Sequence, residues 1–306
     1  MLVNPLEYIR AARQAGWAIG GFNVYNLESA RAVISAATNT KAPVMVQTSE
    51  GAVKHAGFGN IASIVRQLAD AAPVPVALHL DHGKSIDVAR DAIEAGYTSV
   101  MIDTSLLPLE ENIAATREIA EYAHARDVQV EAELGQLAGI EDLGEEEEAA
   151  TFTDPDEAVR FADETGVDSL TITIGTSHGA FKFAGEPRLD FDRLAAIAGR
   201  IPHPIVLHGA SAIPAADVEL AARYGARLPA AKGIPDEFIR RAISLGVAKI
   251  NTDSDLRLAA LGRLRQTLTE RPDIFNLYEL MALVEEAIRL AVEGRIRLFG
   301  SAGKAG

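Results

Sequence analysis

Residues 73–83 read PVPVALHLDHG. The apolar run at 74–80 is too short and too rich in β-branched residues for a helix, and reads as a buried strand. It ends on Asp81, His82 and Gly83, where period-two alternation would send the acid and the imidazole to opposite sides if the strand continued. At a strand tip closed by glycine, both can address the same space. Two more runs have the same form: DSLTITIGTSHG at 168–179 ends on His178, and HPIVLHGAS at 203–211 carries His208. In a chain that alternates strands and helices, strand ends collect at one mouth of a parallel sheet or barrel, so distant residues converge there. Three histidines with a fourth position open describe a catalytic zinc site better than a structural one. The alternative is three separate strand-end histidines, each with an ordinary hydrogen bond.

Outward from these runs, further strands are expected at 18–23, 43–47, 98–102, 128–134 and 247–251. Stretches of helical period lie between them, at 27–38, 57–71, 84–95, 109–126, 154–165, 190–199, 235–245 and 253–269. This alternation predicts one (β/α)8 TIM barrel over residues 1–306, with an extra amphipathic helix at 277–294. Helices stopping at glycine in EAGYTSV, ETGVDSL and SLGVAKI mark the quiet face. The strand-to-helix links carry Asp, Glu, His, Ser and Asn, and barrel active sites lie on that side.

Composition narrows the partners. A formal net charge of −14 repels a phosphate backbone over most of the surface, which argues against nucleic acid. A phosphorylated metabolite remains compatible, because backbone N–H groups at a helix start bind phosphate on an acidic protein. With no cysteine, disulfides and thiolate metal sites are excluded, so any metal uses histidine, carboxylate or carbonyl ligands. No window approaches about 18 uninterrupted apolar residues and no secretory signal is visible, so no membrane partner and a cytoplasmic location are expected.

Two segments break the rhythm and are expected to be mobile loops, 135–153 and 179–189. The four glutamates at 145–148 read as a solvated run, while Glu141 and Asp142 lie near enough to a strand end to reach the mouth. Asp81, beside His82, suits proton transfer near a metal; otherwise it orients a histidine. Gly179 after His178, and Gly209 with Ser211 after His208, place backbone donors beside the imidazoles. Asn251, Asp253 and Ser254 open the last barrel helix, where barrels often bind phosphate; a plain helix cap is the competing explanation.

The blocks GGFNVYNLE, QTSEGA, HLDHG, SVMIDTS, VEAELGQLAGIED, IGTSHGAFK, VLHGASAIP, AISLGVAKINTDSDLR and LFGS together closely resemble the class II, metal-dependent fructose-bisphosphate aldolases, which include tagatose-bisphosphate aldolases. The likeness covers nearly the whole chain. It implies a homodimeric or homotetrameric lyase of glycolysis and gluconeogenesis that cleaves fructose 1,6-bisphosphate reversibly to dihydroxyacetone phosphate and glyceraldehyde 3-phosphate. By the same resemblance His82, His178 and His208 hold Zn²⁺, with Co²⁺ or Fe²⁺ also compatible. Glu141 takes the proton whose loss forms the enediolate, and Asp81 exchanges a proton with the C4 oxygen. Asp103 and Glu133 match carboxylates that bind a second metal in some members or orient a histidine. Gly179, Gly209, Ser211, Asn251, Asp253 and Ser254 line the phosphate, with a monovalent cation, Na⁺ or K⁺, near the two glycines. Asn23 and Ser49 match substrate contacts from early strands, a structural hydrogen bond being equally compatible.

The chain departs from the family at Leu106, where many relatives carry histidine, and at PDIFNLYEL (272–280), which replaces a basic Asp-Pro-Arg pattern. Ser254 stands for the commoner threonine. These departures leave the tagatose epimer or another ketose phosphate as alternative substrates. A zinc hydrolase would use the same histidines without needing the phosphate-lining blocks, and a Schiff-base aldolase would rest on Lys249, expected to point away from the mouth. A sugar-phosphate binding protein would bind without turnover.

Overall fold

The structure, a computed structural model, describes residues 1–139, 151–178, 187–228 and 232–306, with Ala138 and His178 described by backbone alone. Among the described residues ten strands run in chain order: β1 (Ile19–Asn23), β2 (Val44–Ser49), β3 (Val76–Gly83), β4 (Ser99–Ile102), β5 (Gln129–Leu134), β6 (Ala138–Gly139), β7 (Ser169–Ile172), β8 (Ser177–His178), β9 (Ile205–Leu207) and β10 (Val247–Thr252). Eight of them close into a parallel barrel in the order β1-β10-β9-β7-β5-β4-β3-β2, which is the expected (β/α)8 architecture. The remaining two, β6 and β8, form a separate parallel pair.

The helices are α1 (Leu6–Ala15), α2 (Leu27–Thr40), α3 (Glu50–Ala56), α4 (Phe58–Ala71), α5 (Ile86–Glu94), α6 (Leu109–His124), α7 (Pro155–Thr165), α8 (Phe191–Ala198), α9 (Ala215–Arg223), α10 (Asp236–Ser244), α11 (Ser254–Glu270) and α12 (Leu277–Phe299). Their starts are written locally. Asn26 and Ser29 form a reciprocal capping box on α2, and Asp154 caps α7 with Pro155 in its first turn. Three helices, α1, α3 and α9, are not announced by the alternation. The first precedes β1, and its Ile9 and Ala12 pack with Trp17, Ile19, Met45, Ala77 and Ala248 in a cluster apart from the main core. The C-terminal helix runs five residues beyond its expected end and reaches the barrel itself. Its Phe299 stacks on Phe22 with ring centroids 6.5 Å apart and accepts a hydrogen bond from Ala18 N at 2.9 Å.

The inside of this barrel is unusual for its polarity, since bulky branched residues normally fill such layers. Register sets Gln47 beside His79, His79 beside Ser99, and Ser99 beside Gln129. Glu131 lies beside Ser169 in the same way. All six residues, with Lys249, are sealed from solvent, so their polar atoms depend on protein partners; of these side chains Gln47 alone leaves an atom, Oε1, without one among the described residues.

Candidate metal and acid site

The expected HLDHG tip forms through a specific backbone device. His82 adopts φ +49, and the β3–β4 register shifts between Leu80 and Gly83. The left-handed residue breaks strict alternation, and Asp81 and His82 both turn toward the mouth. His82 Nδ1 lies 2.7 Å from Asp103 Oδ2 and 3.7 Å from Glu133 Oε2. Because a carboxylate only accepts, Nδ1 carries the proton and Nε2 keeps its lone pair.

That lone pair faces His208. His82 Nε2 and His208 Nδ1 approach to 2.7 Å with ring centroids 4.6 Å apart. Two imidazole nitrogens on a tetrahedral zinc at about 2.0–2.1 Å would stand about 3.3 Å apart, so the pair sits within about an ångström of the spacing such an ion needs. On its far side, His208 Nε2 lies 2.9 Å from Glu131 Oε1 and 3.3 Å from Thr171 Oγ1. Burial lowers the pKa of His208 against the opposing pull of Glu131. A neutral imidazole is the form that ligates metal.

Asp81 is gripped by three amides from three strands. Its Oδ2 accepts from Asn23 Nδ2 at 2.9 Å and Gln47 Nε2 at 3.0 Å, and its Oδ1 from Asn251 Nδ2 at 2.8 Å. Burial pushes this carboxyl up, but the histidine and lysine charges around it prevail and the net shift is downward. Asp81, His82 and His208 offer ligand atoms within 4.8 Å of one another, and so do His82, Asp103 and Glu133. Burial likewise raises Asp103, but the hydrogen bonds from His82 and Ser105 outweigh it and the net shift is downward, so it stays ionised.

The other expected site residues fall less uniformly. His178 stands in β8, whose partner strand places it opposite Gly139, rather than at the tip of β7. Gly175, at φ +107, turns the chain between the two strands, and an added Cβ would lie 2.4 Å from Arg188 O. Glu141 and Gly179 lie outside the described residues, as do most of the two expected loops; Gln136 and Thr151 bridge the ends of the first. Asn23 and Asn251 hold Asp81, so their amides belong to the acid and histidine cluster. Ser49 caps α3 by accepting from Ala52 N at 3.3 Å.

Around the expected phosphate end, Gly209 adopts φ +61, and Ser211 Oγ accepts from Asp253 N at 3.4 Å. Ser254 opens α11, whose N-terminal N–H groups suit an anion. Asp253 does not cap that helix with its side chain. Its carboxylate instead binds the Tyr25 hydroxyl and pairs with Arg257, 2.8 Å from Oδ2. Asp255 accepts from Ile213 N at 2.8 Å and Ala212 N at 3.3 Å, and pairs with Arg295 at 3.1 Å, which fixes the segment after His208.

A profile described as fructose-bisphosphate aldolase class II matches residues 3–227 and 228–304. The chain belongs to the class II fructose-bisphosphate aldolase family. It is 47% identical to a fructose-bisphosphate aldolase of Thermus caldophilus over 100% of both chains. It is 42% identical to one from Helicobacter pylori, covering 99% of this chain and 100% of the relative. Among solved structures, the YdjI aldolase of Escherichia coli K12 superposes with a TM-score of 0.80 at 33% identity, over 100% of both chains. Class II aldolases are metal-dependent lyases, which agrees with the two facing imidazoles and their carboxylate supports.

Several residues of this class II site escape a motif reading. Gln47, Glu131, Tyr25 and Arg257 all contact expected site residues, and Asp255 holds the backbone just after Ser211. For Glu131 the signal was present: Gln129, Glu131 and Glu133 alternate in VQVEAEL, and period two sends all three inward. Lys249, expected to point away from the mouth, sits sealed inside the barrel two residues below Asn251 on the same face.

Proposed function

We propose that this protein is a zinc-dependent aldolase that reversibly cleaves fructose 1,6-bisphosphate to dihydroxyacetone phosphate and glyceraldehyde 3-phosphate. The observation that carries the reading is the 2.7 Å approach of His82 Nε2 to His208 Nδ1, each ring anchored through its other nitrogen to a carboxylate. Nitrogen lone pairs directed at one point, with no cysteine in the chain to offer a thiolate, fit zinc; Co²⁺ and Fe²⁺ fit the same donors. His82, His208 and His178 would hold the ion, with Asp103 and Glu133 as supports or as ligands of a second one. When bound, the metal supplies Lewis-acid polarisation of the substrate's carbonyl.

The remaining work falls to the chain. Asp81, held ionised and oriented by Asn23, Gln47 and Asn251, exchanges a proton with the C4 oxygen. Glu141 takes the proton next to the carbonyl. Gly179, Gly209, Ser211, Asp253 and Ser254 receive the phosphate, largely through backbone N–H groups, with Na⁺ or K⁺ near the glycines. Asn251 and Asn23 act mainly by aiming Asp81, and Ser49 contributes from the end of β2. The chain acts as one barrel domain in a cytoplasmic homodimer or homotetramer, with loops at 135–153 and 179–189 moving over the mouth. Among the described residues no helix is long and apolar enough to cross a membrane.

The test is fructose 1,6-bisphosphate cleavage with and without EDTA and after zinc is restored, beside the tagatose epimer. Loss with chelator and recovery with zinc is expected, with kcat/KM favouring the fructose sugar. Turnover after complete metal removal would refute the reading, and equal or better cleavage of the epimer would refute the substrate.

A further inference from the structure

Lys249 is given no role above, yet through its buried partner Glu131 it reaches that site's machinery from below. Lys249 Nζ lies 2.8 Å from Glu131 Oε2 and 3.1 Å from His79 Nε2. We propose that Lys249, acting through Glu131, is the positioning residue that fixes His208 as its Nε2–H tautomer, leaving Nδ1 as the lone pair that faces His82. The proposal rests on the reading of His82 and His208 as metal ligands.

The direction of every bond follows from Lys249. An ammonium donates and cannot accept, so His79 Nε2 is an acceptor and His79 carries its proton on Nδ1. That proton goes to Ser99 Oγ at 2.6 Å, Ser99 donates to Gln129 Oε1, and Gln129 Nε2 donates to Ser169 Oγ at 2.9 Å. On the other side the ammonium binds Glu131 Oε2 and turns Oε1 toward His208 Nε2 at 2.9 Å. Thr171 Oγ1 supports the same oxygen at 2.9 Å. Each member of this chain is shut off from solvent, so no bulk water can reverse its polarity.

Two contacts favour the opposite tautomer. Asn251 Nδ2 lies 3.0 Å from His208 Nε2, and by donating there it would leave the proton on Nδ1, where the His82 Nε2 lone pair at 2.7 Å would accept it. That arrangement sets a carboxylate oxygen against a nitrogen lone pair at 2.9 Å. A hydrogen bond to an ionised acceptor is about twice as strong as a neutral one, which matches the two neutral contacts together, and the Nε2–H form also avoids setting that anion against a lone pair, so the Glu131 contact prevails while Lys249 holds the carboxylate in place. A purely structural ion pair would have no such consequence for His208.

The test combines ring ¹⁵N NMR of the metal-free protein with zinc affinity measured by chelator competition. In the parent, His208 should be the Nε2–H form and His79 the Nδ1–H form. K249M/E131L removes both charges together, which buried pairs often tolerate. It should stay folded, lose the His208 preference, keep the His82 tautomer set by Asp103, and bind zinc about 10- to 100-fold more weakly. K249M should weaken zinc, and K249R should restore part of the affinity. A parent His208 in the Nδ1–H form overturns the proposal, and this measurement needs no variant. So does a folded double variant with unchanged tautomer and zinc affinity. A parent that binds no zinc removes the metal reading itself, and with it the purpose assigned to Lys249.

Discussion

Gly209→Ala tests whether the backbone next to His208 is as constrained as the geometry requires. Gly209 has φ +61, and an added Cβ would lie 2.6 Å from Ser177 O, 2.8 Å from Ser177 C and 2.8 Å from Ser177 N. Those are main-chain atoms of β8, so no rotamer change relieves the contact. The left-handed conformation costs an L-residue about 1–2 kcal/mol, and overpacking against fixed atoms adds about 1–3 kcal/mol. The total expected loss is about 2–5 kcal/mol. Gly166→Ala is the control, since Gly166 has φ +71 with nothing within 4 Å of its Cβ. It should show the conformational cost only, about 1–2 kcal/mol, with normal turnover. Urea unfolding of both variants isolates the contact as the difference between them. Because the strain falls between His208 and the strand carrying His178, Gly209→Ala should also lower kcat/KM by about 100-fold, the effect of an ångström's misplacement. Equal destabilisation by the two variants, with Gly209→Ala fully active, would refute the argument.

Asp81→Asn should leave zinc content intact and lower kcat by about 10²- to 10⁴-fold; single-turnover cleavage checks it, and near-normal rates would move the proton to another group. Asp255→Ala should cost about 3–5 kcal/mol, because Arg295 loses a buried partner and the N–H groups of Ala212 and Ile213 are stranded; urea unfolding within 1 kcal/mol of the parent would contradict it. For pH, burial and then Lys249 hold the folded pKa of His79 down to about 3 from 6.5. The unfolded chain therefore binds the extra proton in that window, and stability falls as pH drops from 6.5 toward 3. Between pH 7 and 5 this amounts to about 2 kcal/mol, so His79→Gln should lessen the acid loss by that amount. Parallel stability profiles for the two proteins would sink the assignment.

The strand ends were legible because their signals are local. Apolar β-branched runs, glycine stops and period two mark the barrel and bring Asp81, His82 and His208 to one mouth, since topology carries every strand end there. The family likeness is also a property of the linear chain. What the linear pattern could not say is which atoms face one another. The φ of +49 at His82 that turns two adjacent side chains to one mouth, and the added pair β6 and β8 that carries His178 off the barrel proper, depend on neighbouring segments. Lys249 is the clearest instance. A lone lysine in an apolar strand reads as pointing outward, because burying an ammonium is costly; only the closed barrel brings Glu131 and His79 to meet it. Local propensity and spacing thus determine the frame and the candidate residues. Hydrogen-bond direction, tautomer and charge compensation are decided between strands, where partners distant in sequence close the low-dielectric interior around one another.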